Sequence, residues 1–252
     1  PDLVYSRQLI WFPGLVKALR GFKLVQEINS DIEIELGLLS GVSGSLKRSL
    51  YSIGKEFVEP LVSGLVFVTH ELAGRLLLDI KERVVISNGF VFPDKKPLVD
   101  KSQNDRPALI FVGSPGQNWH GIDKVVEMAV RLPEFDFHVV VPGMSGDAPS
   151  NLFWYGQVIG SDLENMYRRM DVAIGSLACH RKGLQEACPL KCREYSANGL
   201  PIVAGYHDTD LSGASYFLEM GNYEENVRDS ISKIRDFVYA WKGRSYPYDD
   251  AR

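Results

Sequence analysis

The stretch GLQEACPLKCREYSANGLPIVAG, Gly183–Gly205, concentrates the residues able to do chemistry. Pro189 suits the first helical position, where its missing N–H costs nothing. Gly199 suits the position after the last turn, so a helix of about ten residues is predicted between them. A helix start carries partial positive charge and ordinarily attracts Asp or Glu. This one carries Lys191 and Arg193, with Arg181 and Lys182 just upstream. Positive side chains on a positive helix end predict an anion from outside. Glu186 and Glu194 bracket the same turn and can accept hydrogen bonds from hydroxyl groups. Cations for phosphate, carboxylates for sugar hydroxyls and a helix start aimed between them point to a diphosphate-bearing ligand. The competing reading is a solvated basic loop in which Glu194 neutralises Lys191 one turn away.

Such a site needs a scaffold. Short β-branched runs alternate with amphipathic stretches along most of the chain. DLVYS, KLVQEI, GLVFVT and RVVIS are predicted strands, followed after a break by ALIFVG, FHVVV, LFWYG, DVAIGS and LPIVAG. Helices are predicted over Gln8–Arg20, Ser45–Val62, His70–Asp79, Gly121–Leu132, Asp162–Met170, Pro189–Asn198 and Tyr223–Trp241. Short apolar runs suit strands buried on both faces, and the alternation implies right-handed crossovers and parallel sheets. The expected fold class is α/β, with two Rossmann-like parallel-sheet domains and the N-terminal one incomplete. The Pro-, Lys- and Asp-rich segment from Asn88 has no apolar period and is read as a linker over 88–105. It separates domains at 1–87 and 106–242, with a tail at 243–252. An incomplete first sheet is expected to show an exposed edge or apolar face.

In open parallel sheets, ligands bind beyond the carboxyl ends of the strands. The loop after IFVG runs from Ser114 to His120, and Gly121 opens a helix. A polar turn leading into a helix can present N–H groups to phosphate, or simply connect strand to helix with Asn118 as cap. The loop Ser176–Cys188 is long for an α/β connection, which favours function. The loop Tyr206–Asp210 lies at the same edge, and its residues fit ligand contact and solvation equally.

Formal net charge is −4 with a pI of about 5.8, against the basic balance of a general nucleic-acid binder. The three cysteines, Cys179, Cys188 and Cys192, form no disulfide framework or zinc spacing, and reduced thiols in a cytosolic protein are expected. No apolar run approaches the length of a membrane span. A nicotinamide site would need G-x-G-x-x-G after a strand, and no such run is present. No internal repeat is visible.

Glu186 and Glu194, with seven residues between them and EYSANGLPIVA following, resemble the E-x7-E signature of retaining glycosyltransferases with two Rossmann domains, the family-four type of the GT-B fold. VVISNGF resembles that family's domain junction. LIFVGSPGQNWHGIDKVVEMA and LFWYGQVIGSDLENMYRRMDVAIGSL resemble its donor-domain segments, and LVYSRQ and LVQEINSD the latter half of its acceptor domain. The resemblance implies that Glu194 holds the ribose hydroxyls of a sugar nucleotide and that Glu186 lies beside the donor sugar. Backbone N–H groups around Cys188, Leu190 and Lys191 would face the diphosphate, and the loop at Gln157–Val158 would border the base. Where the family has an arginine and a lysine clamping the diphosphate, this chain has Ser114 and His120. Lys191, Arg181 or Lys182 would then supply the charge.

The activity so implied is metal-independent transfer, with retention, of a sugar from a nucleotide-diphosphate donor to a glycan or lipid-linked acceptor. The transition state leaves charge on a diphosphate, which basic side chains and a helix start can stabilise. No Asp-x-Asp lies near the site, so no metal is expected, and no cofactor beyond the donor substrate. A cytoplasmic location is expected, at the inner face of the membrane where the acceptor is lipid-linked, with no nucleic-acid partner. Both ends of the chain look truncated relative to the family. The alternative reading is therefore a sugar-nucleotide-binding fragment or remnant without turnover. An acceptor-side catalytic histidine cannot be assigned, and His70 is expected to be structural or solvated.

Overall fold

The computed structural model describes residues 2–8, 10–38, 41–76, 82–91 and 105–245. The chain divides into two compact units, Pro1–Ser87 and Asn88–Arg252. Most of the predicted linker and tail, and the end of the predicted helix from His70, lie outside the described residues.

The first unit holds a four-stranded parallel sheet in the order β1 (Leu3–Arg7), β2 (Lys23–Ile28), β3 (Val62–Phe67), β4 (Arg83–Val85). All four strands follow the predicted runs. The helices depart further. Helix α1 covers only Leu15–Leu19, because Pro13 and the left-handed Gly14 (φ 94°) interrupt the predicted Gln8–Arg20 span. Helix α2 (Ile32–Leu38) was not expected. Its start is capped by Asp31, whose carboxylate accepts from the N–H groups of Glu33 and Ile34. Helix α3 (Gly41–Val58) gives way to a 3₁₀ turn at Glu59–Leu61, where Pro60 cannot continue the hydrogen-bond ladder. Helix α4 (His70–Arg75) is capped by Thr69, whose hydroxyl accepts from the Leu72 N–H. Leu15, Leu19, Leu24 and Val58 form a small core. β1 stands at the sheet edge with Leu3 and Tyr5 about half exposed.

The second unit contains the larger sheet and all candidate site residues. Its strands are β5 (Ala108–Val112), β6 (Asp136–Val140), β7 (Leu152–Trp154), β8 (Val172–Ile174), β10 (Ile202–Ala204) and β12 (Phe217–Glu219). They pair in parallel in the order β12-β10-β8-β5-β6-β7. Helices α5 (Ile122–Arg131) and α8 (Asn226–Trp241) cover one face through Phe111, Val125, Met128, Val139 and Ile234. Helices α6 (Gly160–Tyr167) and α7 (Leu190–Ala197) cover the other through Ile110, Tyr167, Cys192, Tyr195 and Ile202. The chain moves outward from β5 to β6 and β7, then returns to place β8 on β5's other side. The crevice of an open α/β sheet lies at that reversal, beyond the strands' carboxyl ends. Here it is framed by the loops after β5 and β8.

A two-stranded parallel pair, β9 (Glu186–Ala187) with β11 (His207–Asp208), was not predicted. Strands this short carry no periodicity in sequence.

Candidate functional site

Three segments meet at the reversal. Residues 113–120 after β5 end in a 3₁₀ turn, Asn118–His120. Residues 175–185 after β8 contain a second, Cys179–Lys182. The two are stitched by backbone bonds, Leu177 N–H to the His120 carbonyl (3.1 Å) and Ala178 N–H to that of Trp119 (3.1 Å). Gly121, with φ 71°, joins the first turn to α5, and a Cβ there would lie 2.9 Å from that of Leu177. The third segment, α7, is drawn onto β5 by Tyr195, whose hydroxyl accepts from the Val112 N–H at 2.9 Å.

Pro189 is not the first helical residue. It is the N-cap, with extended backbone (ψ 138°), and α7 begins at Leu190. The preceding β9 ladder delivers the chain extended, and Cys188 before a proline is held there too. The cap has no side-chain hydrogen bond, and the first turn has no acid. Gly199 occupies the position after the C-cap with φ 69°, as expected.

The four cations of this region have different fates. Arg193 is buried. It forks onto Asp208 at 2.8 and 2.9 Å and reaches Asp210 at 2.7 Å, so its charge is matched within the protein. This decides the role of the Tyr206–Asp210 loop: Asp208 anchors α7 to β11. Arg181 bonds both carboxylate oxygens of Asp123 (2.9 and 2.7 Å) and also Glu224, which His180 Nε2 meets at 2.7 Å. Arg181 thus fastens the loop to α5 and to the segment before α8. Lys182 lies over the Trp119 ring, its Nζ 3.9 Å from the centroid.

Lys191 differs. Its ammonium sits 4.5 Å above the Phe111 ring and 3.5 Å from the Val112 carbonyl, and among the described residues no carboxylate pairs with it. Glu194 does not neutralise it. Burial pulls the Lys191 pKa down to about 8. A partly buried cation at a helix start, with no counter-ion, is an unfinished interaction.

His120 faces the same space. Its ring stands edge-on to Phe111 and Trp119, and Nδ1 accepts from the Ser114 N–H at 3.4 Å. Gly113 allows this seat, since a Cβ there would lie 2.7 Å from the Phe111 ring and 2.9 Å from His120 Nδ1. Burial first, then the charges of Lys191 and Lys182, push the His120 pKa down to about 3. The imidazole is therefore neutral at pH 7. With Nδ1 accepting, Nε2 carries the proton and can donate.

The carboxylates also separate. Glu186 is buried in β9, opposite His207. Glu194 is half-buried on α7 with no ion pair among the described residues, and desolvation raises its pKa. The Tyr167 hydroxyl beside it lowers that pKa, and the Glu164 carboxylate on α6 raises it. Cys188 is structural in side chain and carbonyl. Its sulfur accepts from Arg193 (2.8 Å) and the Asn88 N–H (3.1 Å), and its carbonyl from Asn88 Nδ2 (2.5 Å). Leu190 is exposed, and Val158 packs against the core on the α6 face. Sequence reading missed Phe111, Gly113 and Tyr167; their only signals were a strand end, a glycine and a helix end. Among the described residues no cluster of three or more His, Cys, Asp or Glu is arranged to hold a metal, and no helix is long and apolar enough to cross a membrane.

No family model matches the chain, and no curated protein matches it by sequence. Solved structures do. TarM superposes with a TM-score of 0.61 at 15% identity over 92% of this chain and 47% of its own. Sucrose-phosphate synthase from Thermosynechococcus elongatus gives 0.65 at 14%, over 96% of this chain and 69% of its own. HepE from Anabaena, in complex with UDP-glucose, gives 0.62 at 13%, over 96% and 71%. The chain thus spans about half the length of TarM. At these identities the likeness establishes the fold alone: parallel α/β sheets of the GT-B kind.

Proposed function

We propose that the second unit binds a nucleotide-diphosphate sugar at the β5/β8 reversal, and that the protein transfers that sugar with retention to a glycan or lipid-linked acceptor. The observation that carries the reading is Lys191, a cation in the first turn of α7 that no carboxylate pairs with among the described residues, while Arg181 and Arg193 are held by carboxylates. A diphosphate supplies the missing negative charge. The α7 N–H groups and the Nε2–H of a neutral His120 add donors, so the clamp combines one charge with neutral hydrogen bonds. As the glycosidic bond to the leaving group breaks, charge grows on the diphosphate, and donors already in place need no reorganisation. Glu194, without a cation of its own, accepts from ribose hydroxyls, and Glu186 borders the donor sugar. Arg181 and Arg193 act as braces that hold the loop and the helix.

The complexes of GtfA with UDP and GlcNAc and of HepE with UDP-glucose support a sugar nucleotide as the ligand class. The test is a thermal-shift panel of sugar nucleotides. A ligand at about 100 times its dissociation constant adds roughly 2.7 kcal/mol. A rise in melting temperature for at least one sugar nucleotide is expected, with none for its nucleoside at the same concentration. A flat panel would sink the proposal. Release of nucleoside diphosphate in the presence of acceptor separates transfer from binding without turnover.

A further inference from the structure

Tyr167 closes α6. Its ring packs edge-on against Tyr195 of α7, the centroids 5.7 Å apart at 82°, and the residue is 1% exposed. Its hydroxyl is buried and has no hydrogen-bond partner among the described residues. Such a group lowers stability, and a phenylalanine would fill the same space without it. Glu194 directly precedes Tyr195 on α7, and the edge-on packing of the two tyrosines brings the hydroxyl beside its carboxylate as a hydrogen-bonding neighbour that lowers the Glu194 pKa against the desolvation that raises it, although the pair falls short of the distance and angle of a full bond. Glu194 is also without an ion pair. An orphan donor and an unanchored carboxylate therefore stand side by side at the α6/α7 contact, one side-chain adjustment from a hydrogen bond.

We propose that Tyr167 is a positioning residue: when a nucleotide draws Glu194 onto its ribose, the Tyr167 hydroxyl donates to one carboxylate oxygen and leaves the other aimed at the ribose hydroxyls. Tyr167 does not touch the ligand, since its hydroxyl is shielded from solvent. It acts through Glu194 alone. A hydroxyl left unpaired in the empty protein then gains its partner in the complex, so the hydrogen bond adds to affinity and not to folding. The inference rests on the assignment of Glu194 to the ribose.

The test compares wild type and Tyr167→Phe by calorimetry with UDP, GDP, ADP and CDP and the 2′,3′-dideoxy form of whichever diphosphate wild type binds. Tyr167→Phe is expected to melt at or above the wild-type temperature. It should bind the ribonucleotide on the order of 10-fold more weakly, yet bind the dideoxy form within about twofold of wild type. In a Glu194→Ala background the Tyr167→Phe effect should disappear, as it must if one residue acts through the other. A lower melting temperature with equal weakening of both ligands overturns the proposal in favour of a purely structural role. So does an unchanged ribonucleotide affinity, or a Tyr167→Phe chain that fails to fold, since the fold would then depend on the hydroxyl. Wild type that binds ribo and dideoxy forms equally refutes the Glu194 assignment itself, and binding of no diphosphate refutes the site. Each of those results is distinct from failure of Tyr167 alone.

Discussion

Replacing Lys191 with methionine separates an anion site from a basic surface. Methionine keeps the length and most of the packing of the side chain and removes the charge. A drop in the Lys191 pKa from 10.5 to about 8 makes its charged form about 3 kcal/mol less favourable in the folded chain than in the unfolded one. The contact with Phe111 offsets about 0.5–1 kcal/mol of that. Lys191→Met should therefore stabilise the free protein at pH 7 by about 1–3 kcal/mol, or about 2–10 °C in melting temperature for a chain of this size. The sign has a pH signature. Between pH 8 and 10.5 the unfolded chain binds more protons at this site than the folded one, so wild-type stability gains with rising pH. The difference between the two proteins should be full below pH 8 and fade toward pH 10.5. Ligands give the complementary test. Losing a charge-assisted hydrogen bond of about 1.5–3 kcal/mol should weaken a nucleoside diphosphate by roughly 10- to 150-fold and leave the nucleoside unchanged. In the proposed sugar transfer the same change should lower turnover by about 10²–10³. Calorimetry with both ligands on both proteins, beside melting curves from pH 7 to 10.5, checks every part. A destabilised Lys191→Met that binds both ligands with unchanged or equally reduced affinity would refute the reasoning.

Other outcomes follow from the same geometry. Glu194→Ala should fold normally and lose roughly 10- to 150-fold in nucleotide affinity, the loss vanishing in calorimetry with 2′,3′-dideoxy nucleotides. Arg193→Met should strand the fully buried Asp208 and cost about 3–5 kcal/mol, read as a lower denaturant midpoint. Gly113→Ala should displace the His120 ring and weaken diphosphate binding with little change in nucleoside binding, because the added Cβ would lie 2.9 Å from Nδ1. His120 has a folded pKa of about 3, so the unfolded chain takes up its proton first and stability falls as pH drops below 6.5. His120→Gln should lose less stability between pH 6.5 and 5 than wild type, by up to about 2 kcal/mol in chemical denaturation.

The parallel strands were legible because buried β-branched runs such as ALIFVG and DVAIGS have no other stable home. Their order was not legible: that β8 returns to pair with β5, and does not continue beyond β7, was decided by packing in the folded sheet. Helix ends were less legible. The Gln8–Arg20 expectation ignored Pro13 and Gly14, and α2 hides in a segment whose main signal is the cap at Asp31. The strands β9 and β11 are two residues each, too short for any period to register.

By itself, the sequence determined that four cations crowd one helix start and that two glutamates bracket it, since these are facts of residue type and spacing. It could not say which cation is free. Arg181, Lys182, Lys191 and Arg193 look alike in sequence, and Lys191 with Glu194 looks like a helical pair. Tertiary structure decided the matter through partners distant along the chain. Asp208 and Asp210 take Arg193, and Asp123 and Glu224 take Arg181. Phe111 and Tyr195 turn Lys191 toward the end of β5, away from Glu194. Charge attracts over a few ångströms of space whatever the separation in sequence, so only the folded chain distinguishes a cation held by carboxylates from one that is not.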